Sequence, residues 1–422
     1  MLKHLLIFSL LLLTGLTFRT EAAPDRRKDQ FGKEFGYYVY PILGEIPGLG
    51  KAAGGGASVL NIGGNDADFT GYFFTGDFDA KGVALLDHHI MPQRLVLDVG
   101  YNDYRVAPIA YGRGINSDPN DVIYPEVEGR YVLGQLTLTF DERRYELFTR
   151  LMFERNRLQQ LLDRDGIAFT GVDTKWNSRR PIALGGSIDF TDDRLDPRLG
   201  ARLEFSARLP TDNEADESEY YVTDYNLTGY IPLRNWDTLV LNLYHSRAIV
   251  SREGESDFST LQQTSGLNCG QYPPGSQHDS CITTESKHID RLIANNRYGT
   301  ASSLGGTQRL RSFNNYRFYA AQALSYGMEY RWNLTDEYTP FDVFFAKGVR
   351  TGIQVAAFWE RGMVADHYNE LFDDDRSSYG IGFRLILSGV IIRFDYADGD
   401  EGRQSQLFVT YPWSVYSVDN PG

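Results

Sequence analysis

From Gly36 onward the chain alternates between bulky apolar and small or polar residues with a period of two. That period marks strands with one apolar and one polar face. The clearest case is 321–334. Leu324, Tyr326, Met328, Tyr330, Trp332 and Leu334 fall on one face, and Ala321, Ala323, Ser325, Gly327, Glu329, Arg331 and Asn333 on the other. In 199–209, Leu199, Ala201, Leu203, Phe205, Ala207 and Leu209 oppose Gly200, Arg202, Glu204, Ser206 and Arg208. Segments of this kind run over 36–44, 49–62, 68–79, 81–90, 93–105, 128–140, 144–156 and 181–190. They continue over 199–209, 219–231, 236–248, 321–334, 351–360, 378–386, 389–396 and 405–413, sixteen in all.

Alternation alone does not separate a soluble sandwich from a membrane barrel, because both have one apolar face. Two features do. The polar faces carry Arg and Glu at mid-strand, as a wide hydrated lumen allows, and the apolar faces end in Tyr and Trp, as interfacial girdles do. Connection lengths also alternate. Short turns at 63–67, 91–92, 141–143, 191–198 and 232–235 face long loops at 106–127, 157–180 and above all 249–320. Short turns at one end and long loops at the other are the outer-membrane pattern. Only 335–350 breaks it, being long where a short turn is expected. The expected fold is all-β, an antiparallel transmembrane β-barrel over residues 36–413.

Composition agrees. The 422 residues include 27 Tyr, 25 Phe and 42 Gly, and beyond the N-terminal leader there is no apolar run near 18 residues that could span as a helix. Residues 1–22 read as a signal peptide: Lys3 and His4, then the apolar run Leu5–Leu16, then small residues around Ala22 and Ala23. Residues 24–35 form a short charged periplasmic leader, and 414–422 a C-terminal tail. A net charge of −14 argues against nucleic acid as a partner. Cys269 and Cys281 lie close together in a Gly-, Pro- and Ser-rich segment, which in an oxidising compartment points to one loop-stapling disulfide. His88 and His89 read as ordinary surface residues near a periplasmic turn, and no metal or cofactor site is expected. The chain has no Gly-rich phosphate loop, Gly-x-Ser-x-Gly elbow or His-Glu-x-x-His, so enzymatic chemistry is not expected.

Four blocks in the second half carry a resemblance. Asp189-Phe190-Thr191-Asp192-Asp193-Arg194, with Pro197 and Gly200, resembles a D-x-R-D-x-x-x-P-x-x-G turn. Gly305-Gly306 followed by Leu310-Arg311-Ser312-Phe313 resembles a loop motif of two glycines and V/L-R-G-F/Y. Ala357-Phe358-Trp359-Glu360-Arg361-Gly362 resembles F-F-x-D-x-G. Gly380-Ile381-Gly382-Phe383-Arg384 and Ile392-Arg393-Phe394-Asp395-Tyr396 resemble the paired G-x-G-x-R and L-R-x-D-Y. In this order the blocks resemble the BamA/TamA-type surface-antigen barrels of the Omp-eighty-five superfamily.

The resemblance implies a sixteen-stranded outer-membrane barrel with the long sixth extracellular loop folded into the lumen. It implies that Arg311 pairs with Glu329 and Glu360 on the lumen wall, and that Leu407, Val409, Tyr411 and Trp413 form a C-terminal strand signal. It also implies work in outer-membrane assembly, inserting or translocating protein or lipid at the seam between first and last strands. The partners would be outer-membrane lipid, lipopolysaccharide and separate periplasmic or outer-membrane proteins. Ser312 stands where the motif has glycine and should restrict a positive φ there. About a dozen residues precede Gly36, so a barrel-only form without periplasmic POTRA modules is expected. The alternative reading is a structural, receptor-like or passive-pore barrel, the scaffold of an envelope complex.

Overall fold

The structure is a computed structural model. It describes residues 35–413 apart from 165, 167, 170, 171, 211–216, 234–236, 268, 336–345, 348–350, 388, 389, 410 and 411. The expected signal peptide and tail lie outside the described residues, as does Tyr411.

The strands are β1 (Gly36–Ile46), β2 (Gly50–Leu60), β3 (Asp68–Gly76), β4 (Asp79–Met91), β5 (Leu95–Val106) and β6 (Ala110–Tyr111). Next come β7 (Val122–Phe140), β8 (Tyr145–Leu162), β9 (Asn177–Arg179), β10 (Ile182–Asp189), β11 (Gly200–Leu209), β12 (Glu219–Pro232) and β13 (Thr238–Arg252). The last are β14 (Gln322–Asn333), β15 (Ala346–Lys347), β16 (Thr351–Ala365), β17 (Arg376–Leu387), β18 (Val390–Gly399) and β19 (Gly402–Val409). Among the described residues sixteen of these are eight residues or longer, and each overlaps one of the sixteen alternating segments.

Each long strand pairs antiparallel with the next long strand along the chain, in one continuous sheet. Tight turns and local alternation make this the simplest topology, because consecutive strands need no crossover. The strand β7 runs further toward the long-loop end than its apolar pattern predicts, and so does β8. Both rise past the apolar band, so polar residues continue the ladder. β1 and β19 lie side by side, yet no ladder joins them among the described residues.

The wet face read from the alternation is a correction, while the loop that the resemblance placed in the lumen is there. The polar face of β14 is buried: Glu329 has no exposed surface, and Arg331 and Ser325 are nearly as enclosed. The cause is the 253–321 connection, which enters the barrel and packs Leu304, Leu310, Phe313 and Phe318 against Tyr244, Ala323 and Val364. The apolar face keeps Met328, Trp332 and Leu334 exposed, as a lipid-facing wall requires.

That connection also holds two helices the alternation did not predict, α1 (Phe258–Ser265) and α2 (Ser276–Tyr298). Asp257 caps α1 by accepting from the Thr260 amide at 2.9 Å. Glu285 of α2 is buried and accepts from the Leu267 amide at 2.8 Å and from Gln262 at 2.7 Å, tying the helices together. Cys269 and Cys281 are disulfide-bonded and fasten the segment before α2 to its second turn. His89 is another correction. Its side chain is only 5% exposed, enclosed between Asp66 at 3.6 Å and Asp87 at 3.7 Å.

Candidate functional site: a loop anchored inside the barrel

The tip of the long loop closes on itself before it docks. Leu304 and Phe318 exchange both backbone hydrogen bonds, at 2.8 and 2.9 Å, which makes a narrow finger. Gly305 and Gly306 stand at its bend with φ of 106° and 99°, a region where a side chain is strained. At Gly306 a Cβ would also meet Asn315 Oδ1 at 1.6 Å. Leu310, not Ser312, takes the positive φ of the following turn (53°). Ser312 therefore does not meet the restriction expected from sequence. Its amide donates to Ser378 Oγ at 2.9 Å. Its hydroxyl occupies the space a Cβ on Gly399 would need, 2.2 Å from that position. The missing glycine in the motif is matched by a glycine on the wall.

Arg311 lies at the finger's end with no exposed surface. Its Nη1 donates to Glu329 at 3.1 Å and to Asp395 at 2.9 Å, and its Nε to Glu360 at 3.1 Å. The Arg311 amide adds a bond to the second Glu360 oxygen at 3.0 Å. The guanidinium lies 3.4 Å over the Phe358 ring, a cation–π contact in a desolvated place. Asp395 is a third acceptor that the two-glutamate reading missed. Its position was readable, since it shares the inward parity of Arg393 on β18.

More arginines surround these carboxylates. Arg331 donates to Glu329 at 2.7 Å, Arg384 to the other Glu329 oxygen at 2.7 Å, and Arg393 lies 3.2 Å from Asp395. Arg393 also donates to the Thr307 carbonyl, so the wall grips the finger's backbone as well as its tip. Four guanidinium groups thus face three carboxylates. Buried charges stay ionised only when so paired, because desolvation of each ion costs several kcal/mol. What the arrangement does chemically is hold the finger in one register. Charge-assisted, forked bonds suit that, being short and directional.

Gly380 and Gly382 supply clearance. A Cβ on Gly380 would strike the Phe358 ring, and one on Gly382 would meet Asp395 Oδ1 at 2.1 Å. Phe313 is buried against Phe318, with ring centroids 5.0 Å apart.

Trp413 departs from expectation. The last strand is described over Gly402–Val409, and Pro412 beyond it has no N–H to give a ladder. Trp413 is not on the strand face with Leu407 but turned into the lumen. Its Nε1 donates to Glu360 at 2.8 Å, and its carbonyl accepts from Asn226 at 2.6 Å. It packs there with Tyr230 and Val240.

Two further arginine clamps lie nearer the long-loop end, Arg317 on the finger itself and Arg113 against the end of α2 that leads into it. Arg317 forks onto Glu401 at 2.7 to 3.0 Å and bonds Ser117 at 2.6 Å. Arg113 forks onto Asp366 at 2.6 to 3.2 Å and reaches Asn295 at 2.6 Å. No local pattern marks these, since their partners lie 84 to 253 positions away.

The Asp192–Gly200 motif is not at the anchor. It is a turn at the short-turn end, where Asp192 accepts from the Arg198 and Leu199 amides at 2.8 and 2.9 Å. Asp193 accepts from Leu195 and Asp196 at 2.7 and 3.0 Å. Pro197 is buried within the turn, and Gly200 leaves it with φ of 106°. Asp196 and Arg198 share a small cavity with Asn333, Thr335, Thr351 and Gly352, so the turn bends across the barrel mouth. Among the described residues no group of three or more His, Cys, Asp or Glu is placed to hold a metal ion.

No curated protein sequence matches the chain. Among solved structures it is similar to BamA from Haemophilus ducreyi lacking POTRA domains 1–3, at 12% identity and a TM-score of 0.48. That match covers 90% of this chain and 70% of the other. It is similar also to CdiB from Escherichia coli, at 11% identity and a TM-score of 0.49, over 89% of this chain and 62% of that one. CdiB from Acinetobacter baumannii gives 10% identity and a TM-score of 0.47, over 89% and 59%. The chain thus spans less than two thirds of either CdiB chain. With strands, loop finger and lumen anchor in place, the Omp85 superfamily domain matches residues 130–406, and the chain belongs to that superfamily of outer-membrane β-barrels.

Proposed function

We propose that this barrel works in outer-membrane assembly, inserting or translocating protein or lipid together with separate partner proteins. The seam between β1 and β19 is its working element, and the lumen anchor at Arg311 keeps the rest of the wall fixed while the seam works. The observation that carries this reading is the way the seam is held. The neighbouring strands β1 and β19 share no ladder among the described residues. Instead Tyr37 and Tyr38 pair with Lys347 and Ala346 of the β14–β16 connection. Tyr38, Tyr40 and Leu60 form an apolar contact with Leu387, Leu385 and Ile392. Apolar contact is non-directional, so such a joint can slip where a ladder would have to break bond by bond. Pro41 within β1 removes one further donor from its edge.

The test has two arms. Depletion of the protein should lower the level of outer-membrane proteins or lipids. A disulfide between cysteines introduced into Gly36–Ile46 and Gly402–Val409, chosen by screening for the pair that crosslinks, should reproduce that loss and be reversed by reductant. A second reading, a receptor or scaffold barrel, has in its favour the helical, disulfide-fastened segment at the long-loop end. Normal membrane composition after depletion would select it over assembly.

A further inference from the structure

Outside the lumen, one strongly charged patch takes no part in anchoring the loop. On β7 and β8 the outward positions are the exposed ones: Val132, Leu136 and Leu138 on one strand, Leu147, Leu151 and Phe153 on the other. Leu133, Thr137 and Met152, one position off, are buried inward. Val132 pairs directly with Phe153. Two residues further toward the long-loop end, on the same outward face, Arg130 pairs directly with Arg155, and two beyond that Glu128 pairs with Arg157. Two residues of strand advance about 7 Å. The apolar band therefore ends, and an arginine cluster begins, within one outward rung.

Trp176 lies against all three arginines, with its ring centroid 5.8 Å from Arg130, 5.1 Å from Arg155 and 5.0 Å from Arg157. Arg157 is paired with Glu128 at 2.6 Å. Arg130 and Arg155 are exposed, and among the described residues neither has a carboxylate within ion-pair distance. Like charges directly opposite across a ladder destabilise it. An anion seated between them turns that repulsion into attraction, and two guanidinium forks match phosphate oxygens. The cluster stands where the apolar band meets water, at the end that carries the long loops and so faces outward in such barrels. Tryptophan is the side chain suited to that boundary.

We propose that Arg130, Arg155 and Arg157 with Trp176 form a binding site for the phosphorylated headgroup of an outer-leaflet glycolipid. Its acyl chains lie along Val132, Phe153, Leu136 and Leu151. Glu128 sets Arg157 in place and leaves a net positive charge for the phosphate.

The test uses the full chain purified in detergent, with binding of diphosphoryl lipid A followed by native mass spectrometry. The expected result is at least fivefold weaker binding of dephosphorylated lipid A, and at least fivefold weaker binding of diphosphoryl lipid A to the double variant R130Q/R155Q. The variant R403Q, which removes one charge at a distant exposed site, should bind like the parent. Less than fivefold loss in either comparison overturns the site. So does competition by inorganic phosphate at the lipid's own concentration, because the site would then take free phosphate. The lipid comparison uses the unaltered protein, so it decides the matter even if the double variant fails to fold.

Discussion

Arg311→Ala is the most informative single change, and its cost can be worked from the geometry. The side chain makes three bonds to three buried carboxylates, but these do not depend on it equally. Glu329 keeps Arg331 and Arg384, each at 2.7 Å, and Asp395 keeps Arg393 at 3.2 Å. Among the described residues Glu360 keeps as hydrogen-bond donors the Trp413 indole and the Arg311 amide, with the buried Arg309 charge nearby but not bonded to it. The penalty thus falls on one buried carboxylate that loses its directly bonded cation, which costs about 3–5 kcal/mol, with the neighbouring Arg309 charge favouring the lower end. At about 1.4 kcal/mol per decade, the docked finger loses a hundredfold to several thousandfold in its equilibrium. Hydrogen exchange of the Leu304–Phe318 amides and trypsin cleavage at Arg291 and Arg297 should report the loss, as should altered migration of unheated protein on a gel. Glu360→Gln in the same chain removes the stranded charge and should return ~1–3 kcal/mol. Arg311→Lys keeps a cation but not the fork, and should fall between. Exchange protection within threefold of the parent in Arg311→Ala, or further loss on adding Glu360→Gln, would refute the reasoning.

Gly399→Ala should undock the loop tip, because its Cβ would lie 2.2 Å from Ser312 Oγ. Ser312→Gly should restore part of the protection measured by the same exchange experiment, the remainder being the clash with the Ser377 carbonyl. Reduction of Cys269–Cys281 should loosen α1 and α2 by about 3 kcal/mol, the scale of a loop of this length, with no change in barrel migration on gels. His288 on α2 is held down to about 4 by burial first and then by Arg291, with Glu285 opposing. Its folded value is below the ordinary one, so the unfolded segment takes up the proton first. The stability of α2 should therefore be full above about pH 6.5 and fall as pH drops toward 4. His288→Asn should flatten that dependence, read by helix exchange rates against pH.

The local pattern of side chains was enough to place the wall of this barrel. A period of two depends only on neighbouring residues, so the alternation in 321–334 located β14 to within a residue at each end and gave its faces. The same parity set Glu329, Phe358 and Glu360 on the inward side. Motif glycines were legible for the same reason, since a positive φ at Gly305 and Gly306 is a property of the local chain. The two helices were missed because α2 buries little beyond Cys281, Glu285 and Ile289, too sparse a stripe to stand out.

What tertiary structure decided are the contacts between residues far apart in sequence. By alternation alone the polar face reads as wet; the resemblance put the loop inside, but that Glu329 and Arg384 become buried partners depends on how the loop fills the lumen. Asp395 becomes the third acceptor only because β18 stands beside the finger, 84 positions from Arg311. Trp413 continues the alternation of its strand, yet a proline and the Glu360 carboxylate turn it inward. Ser312 looks like a defect until Gly399 is seen opposite it. Periodicity describes each strand against its own neighbours. Which charges meet inside the barrel depends on how the sheet curls and what it encloses.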